Sequence, residues 1–517
     1  PLAAADLERL AVAAYLLGRD DEYLQGLDRA HQAYQALAEH ARAARCAFWL
    51  GLRLLFRGEG AQANGWLCRA ERLLEHAAAD CVERGYLLLP VAQQRLSAGD
   101  CESAYDAALR AAAIGERFAE PDLVATAVHL QGRARIEQGK VGEGLSLLDE
   151  AMIAVVGHEL SPIVTGLIYC SVIEGCHDVH AVDRAHEWTA ALGRWCELQP
   201  EMIAFTGVCR VHRAELLQLR GDWTQAFDEA QRARERCAGN NTNAAGAASY
   251  QQGEVHRLRG EFAAAELAYG EASRCGWEPQ PGLSLLRLAQ GRGPAAAAAI
   301  RRMLAASARP AERTRLLPAC VEIMLALGEL PEAERAGSEL EQLAERLDTR
   351  VVSAHAAYAR GAIELALGHA QVAIPLLRSA LRCWQEMQAP RQAAQARALL
   401  ASCYRAFGDE EGAELELAAA RSAFEQLGAK PDLVRLEARA AAPQSVRPQS
   451  VRPHGLTARE LEVLRWVSTG QSNKQISTQL FLSEKTIERH LSNIFAKLGV
   501  DSRAGATAYA YKHALVE

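Results

Sequence analysis

An all-α fold is what this 517-residue sequence predicts: a long stack of helical hairpins followed by a small bundle of helices. Three observations carry that expectation. The first 440 residues are rich in Ala and Leu, low in aromatics, and almost free of the alternating pattern that marks strands. Glycines return through them at a nearly constant interval. The last sixty or so residues, from Leu456, contain two helix starts spelled as capping boxes.

The repeat comes first in the chain. Gly18, Gly58, Gly99, Gly139, Gly221, Gly260, Gly328, Gly368 and Gly408 each follow an apolar helical run. Many neighbours are separated by almost the same stretch of chain, the mark of a repeated helical unit. Glycine at such a point permits the left-handed residue that closes a helix. Seven of the nine carry Ala five residues later: Ala63, Ala104, Ala226, Ala265, Ala333, Ala373 and Ala413. A small residue there lets the returning helix approach its partner. Asp178 and Gly291 mark two degenerate turns, for about eleven hairpins in all. One hairpin cannot bury its own apolar face, so the units must stack. Between Gly260 and Gly291 the spacing shortens, and Trp277–Pro281 breaks the pattern, so an irregular joint is expected there.

Residues 170–227 are the least repeat-like. Trp188, Trp195, His212, Arg213 and Trp223 could line a groove for a ligand or partner. An aromatic-filled joint with buried hydrogen bonds explains the same residues more simply. Cys176, His177, His180 and His186 include one pair a helical turn apart, but no second ligand pair of typical spacing follows. Cys209 with His212 is no stronger. No metal and no cofactor are expected. Gly132–Lys140 lacks the Ser or Thr of a P-loop, and no Ser/His/Asp grouping stands out, so an enzyme is not expected.

Charge separates the two ends. Residues 456–517 hold 8 basic and 6 acidic side chains, a net of +2, whereas residues 1–455 are at −9. Only the C-terminal part suits a polyanion. Thirteen cysteines without a C-x-x-C pair read as reduced thiols. No apolar run reaches membrane-spanning length, and no signal segment opens the chain, so a cytoplasmic protein with no membrane contact is expected.

Residues 441–455, with three prolines and few apolar side chains, read as a tether between a repeat domain at 1–440 and a compact domain at 456–517. In the latter, Thr457 precedes Glu460 and Ser472 precedes Gln475 by three residues, while Leu456 and Leu461 are placed for a hydrophobic staple. Ser483 starts a third helix with Glu484 in its first turn. The helices fall near 457–468, 473–480 and 484–497. The tight turn between the last two is a helix-turn-helix arrangement, whose second helix enters the DNA major groove. Ile487, Leu491, Ile494 and Leu498 face inward. By position on the opposite stripe, Glu488, Arg489 and Ser492 face base edges. Lys474, Lys485, Thr486, His490, Asn493 and Lys497 lie where phosphates would be met.

These residues resemble the DNA-binding domain of LuxR-type transcription regulators. The match runs through Leu456, Thr457, Arg459, Glu460, Val463, Leu464, Gly470, Ser472, Asn473, Lys474, Ile476 and Leu480. It continues at Ser483, Thr486, His490, Asn493, Ile494, Lys497, Leu498, Gly499, Val500 and Arg503. The resemblance implies a fourth helix, about 502–513, which often forms the dimer contact; Ala504, Ala508 and Tyr511 fall on one face of it and are expected to make that contact. It also implies double-stranded DNA, at a two-fold operator bound by a homodimer, as the partner. Glu488 stands where the family commonly has a basic residue; a carboxylate can accept from a cytosine amino group but cannot hold phosphate. The hairpins resemble tetratricopeptide-type repeats of MalT-like regulators, without an ATPase ahead of them. The expected protein is therefore a transcription regulator: a repeat solenoid senses an unknown ligand or partner and controls the C-terminal domain. The alternative is a repeat scaffold that docks other proteins and uses DNA binding to localise itself.

Overall fold

The computed structural model describes residues 2–76, 80–199, 201–237, 241–441, 453–456, 458–480, 484–513 and 515. Among them are 27 α-helices, one 3-10 turn and no strand. The helices run in hairpins. They begin with α1 (Ala4–Leu16) and α2 (Asp20–Ala36), α3 (His40–Phe56) and α4 (Gly60–Glu75), α5 (Glu83–Ser97) and α6 (Cys101–Phe118). Next are α7 (Pro121–Glu137) and α8 (Val141–Val156), α9 (Pro162–Asp178) and α10 (Val182–Glu197), α11 (Thr206–Arg220) and α12 (Trp223–Cys237). Then come α13 (Thr242–Arg259) and α14 (Phe262–Arg274), α15 (Gly282–Ala289) and α16 (Gly293–Ala306), α17 (Pro310–Leu327) and α18 (Leu330–Leu347). The series closes with α19 (Arg350–Ala366) and α20 (Ala370–Glu386), α21 (Pro390–Ala406) and α22 (Glu410–Leu427), and a single α23 (Lys430–Ala441). After a 3-10 turn at Pro453–Gly455 lie α24 (Ala458–Ser468), α25 (Asn473–Leu480), α26 (Glu484–Leu498) and α27 (Arg503–Lys512).

The hairpin turns form where the glycines are. Gly58, for example, sits at φ +79°, a conformation any side chain would strain. The degenerate turn near Asp178 is closed instead by His180, at φ 56°. All seven alanines placed shortly beyond a turn glycine are buried at 2 % exposure or less. A second register accompanies them. Gly51 faces Leu67, Gly132 faces Leu148, Gly253 faces Tyr269 and Gly361 faces Leu377, always at the same offset across one hairpin. A Cβ on any of these glycines would lie within 3.0 Å of its partner's side chain. The expected irregular joint is present: Gln280–Pro281 is a cis peptide, and α15 is only 8 residues long.

The chain divides into two compact units, Pro1–Ala359 with Cys383–Ala389, and Arg360–Arg382 with Pro390–Glu517. In the first, odd-numbered helices from α3 to α17 stack on one another as an inner layer, and each even-numbered helix packs against its hairpin partner. Long-range bonds join distant parts of this unit. Ile203 N–H donates to Leu16 O at 2.8 Å, Arg309 reaches Glu137 at 2.7 Å, and His180 Nε2 lies 3.2 Å from Thr314 Oγ1.

In the second unit the last hairpin is tied to α23 by Asp432, which is 4 % exposed and bonded to Arg391, Arg435 and Gln395. Burial acts to raise the Asp432 carboxyl, but Arg391 and Arg435 hold it below its ordinary value. A separate core of Leu456, Val463, Leu464, Val467, Ile476, Leu480, Ile487, Leu491, Ile494, Leu498, Ala506 and Ala510 organises α24–α27. The capping box at Ser472 forms in both directions: Ser472 N–H donates to Gln475 Oε1 at 2.8 Å, and Gln475 N–H to Ser472 Oγ at 3.3 Å. Thr457, Ser483 and residues 442–452 of the tether lie outside the described residues.

Candidate nucleic-acid interface

Helix α26 buries one stripe and presents another. Ile487 and Ile494 are fully buried and Leu491 and Leu498 nearly so, because they recur at helical spacing towards α24 and α25. That packing turns Glu488, Arg489, Ser492 and Asn493 outward, and all four are exposed. His490 is half-buried on the flank, and Lys474 on α25 is exposed. The side chains of Lys485 and Thr486 lie outside the described residues. The Ser492 hydroxyl donates to Glu488 O one turn back, at 3.0 Å.

Arg489 and Lys497, both predicted to meet DNA, have protein partners. Arg489 is ion-paired with Glu411 of α22, within the same unit. Lys497 Nζ donates to both carboxylate oxygens of Glu460, at 2.7 and 2.6 Å. Glu460 is 3 % exposed, so this pair clamps the start of α24 to the end of α26. The sequence places Lys497 for phosphate and gives no sign of the pair, because Glu460 already has a capping-box role. The part played by Arg503 is equally silent there: its guanidinium donates to Asn473 Oδ1 at 2.8 Å and to Gln471 O, fixing α27 against the start of α25. Arg378 of α20 donates to Leu480 O at 2.7 Å.

On α27, Ala506 and Ala510 point into the core, whereas Ala504, Ala508 and Tyr511 are exposed on the other side. Tyr509 packs on the core and lies 3.0 Å from His454 Nδ1 through its hydroxyl.

The five residues considered for a groove in the repeats are engaged separately. Trp195 is buried against Tyr169 and Phe205. Trp223 is buried, its indole N–H donating to Gln218 O at 3.1 Å. The Trp188 indole N–H donates to Asp149 at 3.3 Å, and exposed Arg213 sits 3.9 Å from Glu229. His212 alone joins a polar cluster, with His177 and Glu215. Burial pushes the His177 imidazole below its ordinary range.

Four helices around one small core, with α25 and α26 in succession and a polar stripe outward on α26, define a helix-turn-helix of the DNA-binding class. Residues 454–510 match the family described as "Bacterial regulatory proteins, luxR family", and this part of the chain is a LuxR-type helix-turn-helix domain. Similar proteins include the "Nitrate/nitrite response regulator protein homolog" of Haemophilus influenzae, 56 % identical over 52 residues, which are 10 % of this chain and 25 % of that one. "Transcriptional regulatory protein LiaR" of Bacillus subtilis is 44 % identical over 61 residues, 12 % of this chain and 29 % of that one. The chain thus spans under a third of the length of these relatives. Among solved structures, "Crystal Structure of Rap Protein Complexed with Competence and Sporulation Factor" aligns at TM-score 0.41 and 14 % identity, covering 74 % of this chain and 98 % of that one. "Crystal structure of APC/C hetero-tetramer Cut9-Hcn1" aligns at TM-score 0.35 and 13 % identity, covering 84 % and 96 %.

Proposed function

We propose that this protein is a DNA-binding transcription regulator, with a repeat domain at 1–440, a tether at 441–455 and the operator-reading domain at 456–517. The observation that carries the reading is the exposed stripe Glu488–Arg489–Ser492 on α26 of a LuxR-type domain. Arg489 is the residue best suited to base recognition, since its fork pairs with the O6 and N7 of guanine. Lys474, Lys485, Thr486, His490 and Asn493 serve the phosphates. Lys497 would serve them only by leaving Glu460.

The resting protein is restrained by its own repeats. Glu411 holds the guanidinium that would otherwise meet DNA, which supports control by masking. The pair is weak by nature: Arg489 is 63 % and Glu411 39 % exposed, so it contributes about 1 kcal/mol or less, roughly a fivefold bias. A signal acting on the repeats needs only modest differential affinity to reverse such a bias. Binding is to a two-fold site as a dimer through Ala504, Ala508 and Tyr511, and the protein works in the cytoplasm. Its relatives in this domain are transcription regulators, not enzymes.

The dimer is tested by Ala508→Arg in the full chain. Mobility shift and sedimentation on the same samples should show weaker operator binding and loss of the two-to-one complex, with helicity unchanged. An unaltered two-to-one complex would place the contact elsewhere.

A further inference from the structure

We infer that the repeat domain contains a mononuclear binding site for a divalent transition metal, built by His177 at the end of α9 and by His212 and Glu215 on α11. One ligand atom from each lies within 4.8 Å of the others. Nε2 of His177 is 3.5 Å from Glu215 Oε2, and Nδ1 of His212 is 3.8 Å from the same oxygen. Donors bound to a tetrahedral zinc at ~2.0–2.1 Å stand about 3.3 Å apart, so the imidazole-to-carboxylate separations need close by only a few tenths of an ångström. Nε2 of His177 and both ring nitrogens of His212 are enclosed by protein, yet make no hydrogen bond among the described residues. Enclosed polar atoms in a folded protein nearly always have a partner, and an ion would supply it.

The surroundings fit that occupant. Gln251 of α13 donates from Nε2 to Glu215 Oε1 at 3.1 Å and so orients the carboxylate from behind, as outer-shell partners of metal ligands do. The three side chains keep 28 %, 12 % and 29 % of their surface, although the donor nitrogens themselves lie beneath it. The His177 and His212 rings lie at 18° to each other, so one must turn about χ2 to bring both lone pairs to one point. That torsion is broad and soft for histidine. The cation of Arg315 acts on both His177 and Glu215. It opposes any divalent ion alike, and the preference for zinc, cobalt or nickel over magnesium or calcium comes from the two imidazoles.

The site goes beyond the regulatory reading and is measured without DNA, so either can fail alone. The full chain, stripped with chelator, is titrated with Co²⁺. We expect one Co²⁺ per chain with d–d absorption and no thiolate-to-cobalt charge transfer, displaced by Zn²⁺. Zn²⁺ should raise Tm of the parent but not of His212→Gln or Glu215→Gln. Comparing each variant with and without metal removes any folding defect from the result. Gln251→Ala should bind roughly 10–100-fold more weakly. Absence of saturable Co²⁺ absorption, binding by the two ligand variants equal to the parent's, or a charge-transfer band that assigns the ion to cysteine thiolate would overturn the inference.

Discussion

The repeats and the C-terminal domain are held together by opposite means. In the repeats, close contacts are made by the smallest residues: Ala265 is fully buried beside the turn, and Gly253 lets the Tyr269 ring approach the backbone of α13. Side-chain volume is spread thinly over many similar interfaces. In the C-terminal domain a dozen buried residues, mostly Leu, Ile and Val, carry the whole of a small core. A stack of hairpins can lose one contact and keep its neighbours. So small a core cannot, and its outer surface is left to function.

The sharpest break of that contrast is Ile487→Ala. Ile487 is fully buried on α26, and its truncation should cost about 3 kcal/mol or more. Calorimetry should show the C-terminal transition lost or much lowered while that of the repeats stays in place. One shared, shifted transition would show that the two regions melt together and that the contrast is false.

The next effect concerns charge rather than volume. Asp432→Asn leaves Arg391 and Arg435 without their buried acceptor and should cost about 3 kcal/mol at neutral pH. Because the folded carboxyl lies below its unfolded value of about 3.9, its contribution is complete above that pH and lost as the pH falls through the folded value. The variant's stability should therefore depend less on pH below about 4 than the parent's. Parallel curves would exclude this ion pair as the source.

The contrast also explains what can be read from sequence. The helices of the C-terminal domain are legible almost to their ends, since caps, staple and inward stripe are local signals. Turns inside hairpins are legible because glycine marks them. Turns between hairpins are not: Ala38, Ala119, His158, Asp348 and Gln388 all adopt positive φ with side chains that announce nothing. The register of Gly against Leu or Tyr appears only once two helices are paired. Glu460 and Lys497 sit on different helices, as do His177 and His212. Such pairs depend on how helices are aligned, which periodicity within one helix does not encode. The outward place of Arg489 follows from that periodicity; its ion pair with Glu411, on a helix far earlier in the chain, does not.

The smallest effect is on that pair. Glu411→Gln should raise operator affinity by roughly fivefold or less, in proportion to an exposed ion pair. A loss of affinity would turn masking into support.

Operator selection with the parent and with Arg489→Ala tests whether α26 reads bases through Arg489, as proposed. The selected sequences, bound at one fixed salt concentration, should show Arg489→Ala weakened by ~1–3 kcal/mol on the preferred site, with preference relaxed at one base pair in each half-site. An equal loss on every sequence, with the selected site unchanged, would make Arg489 a phosphate contact and contradict the placement of α26.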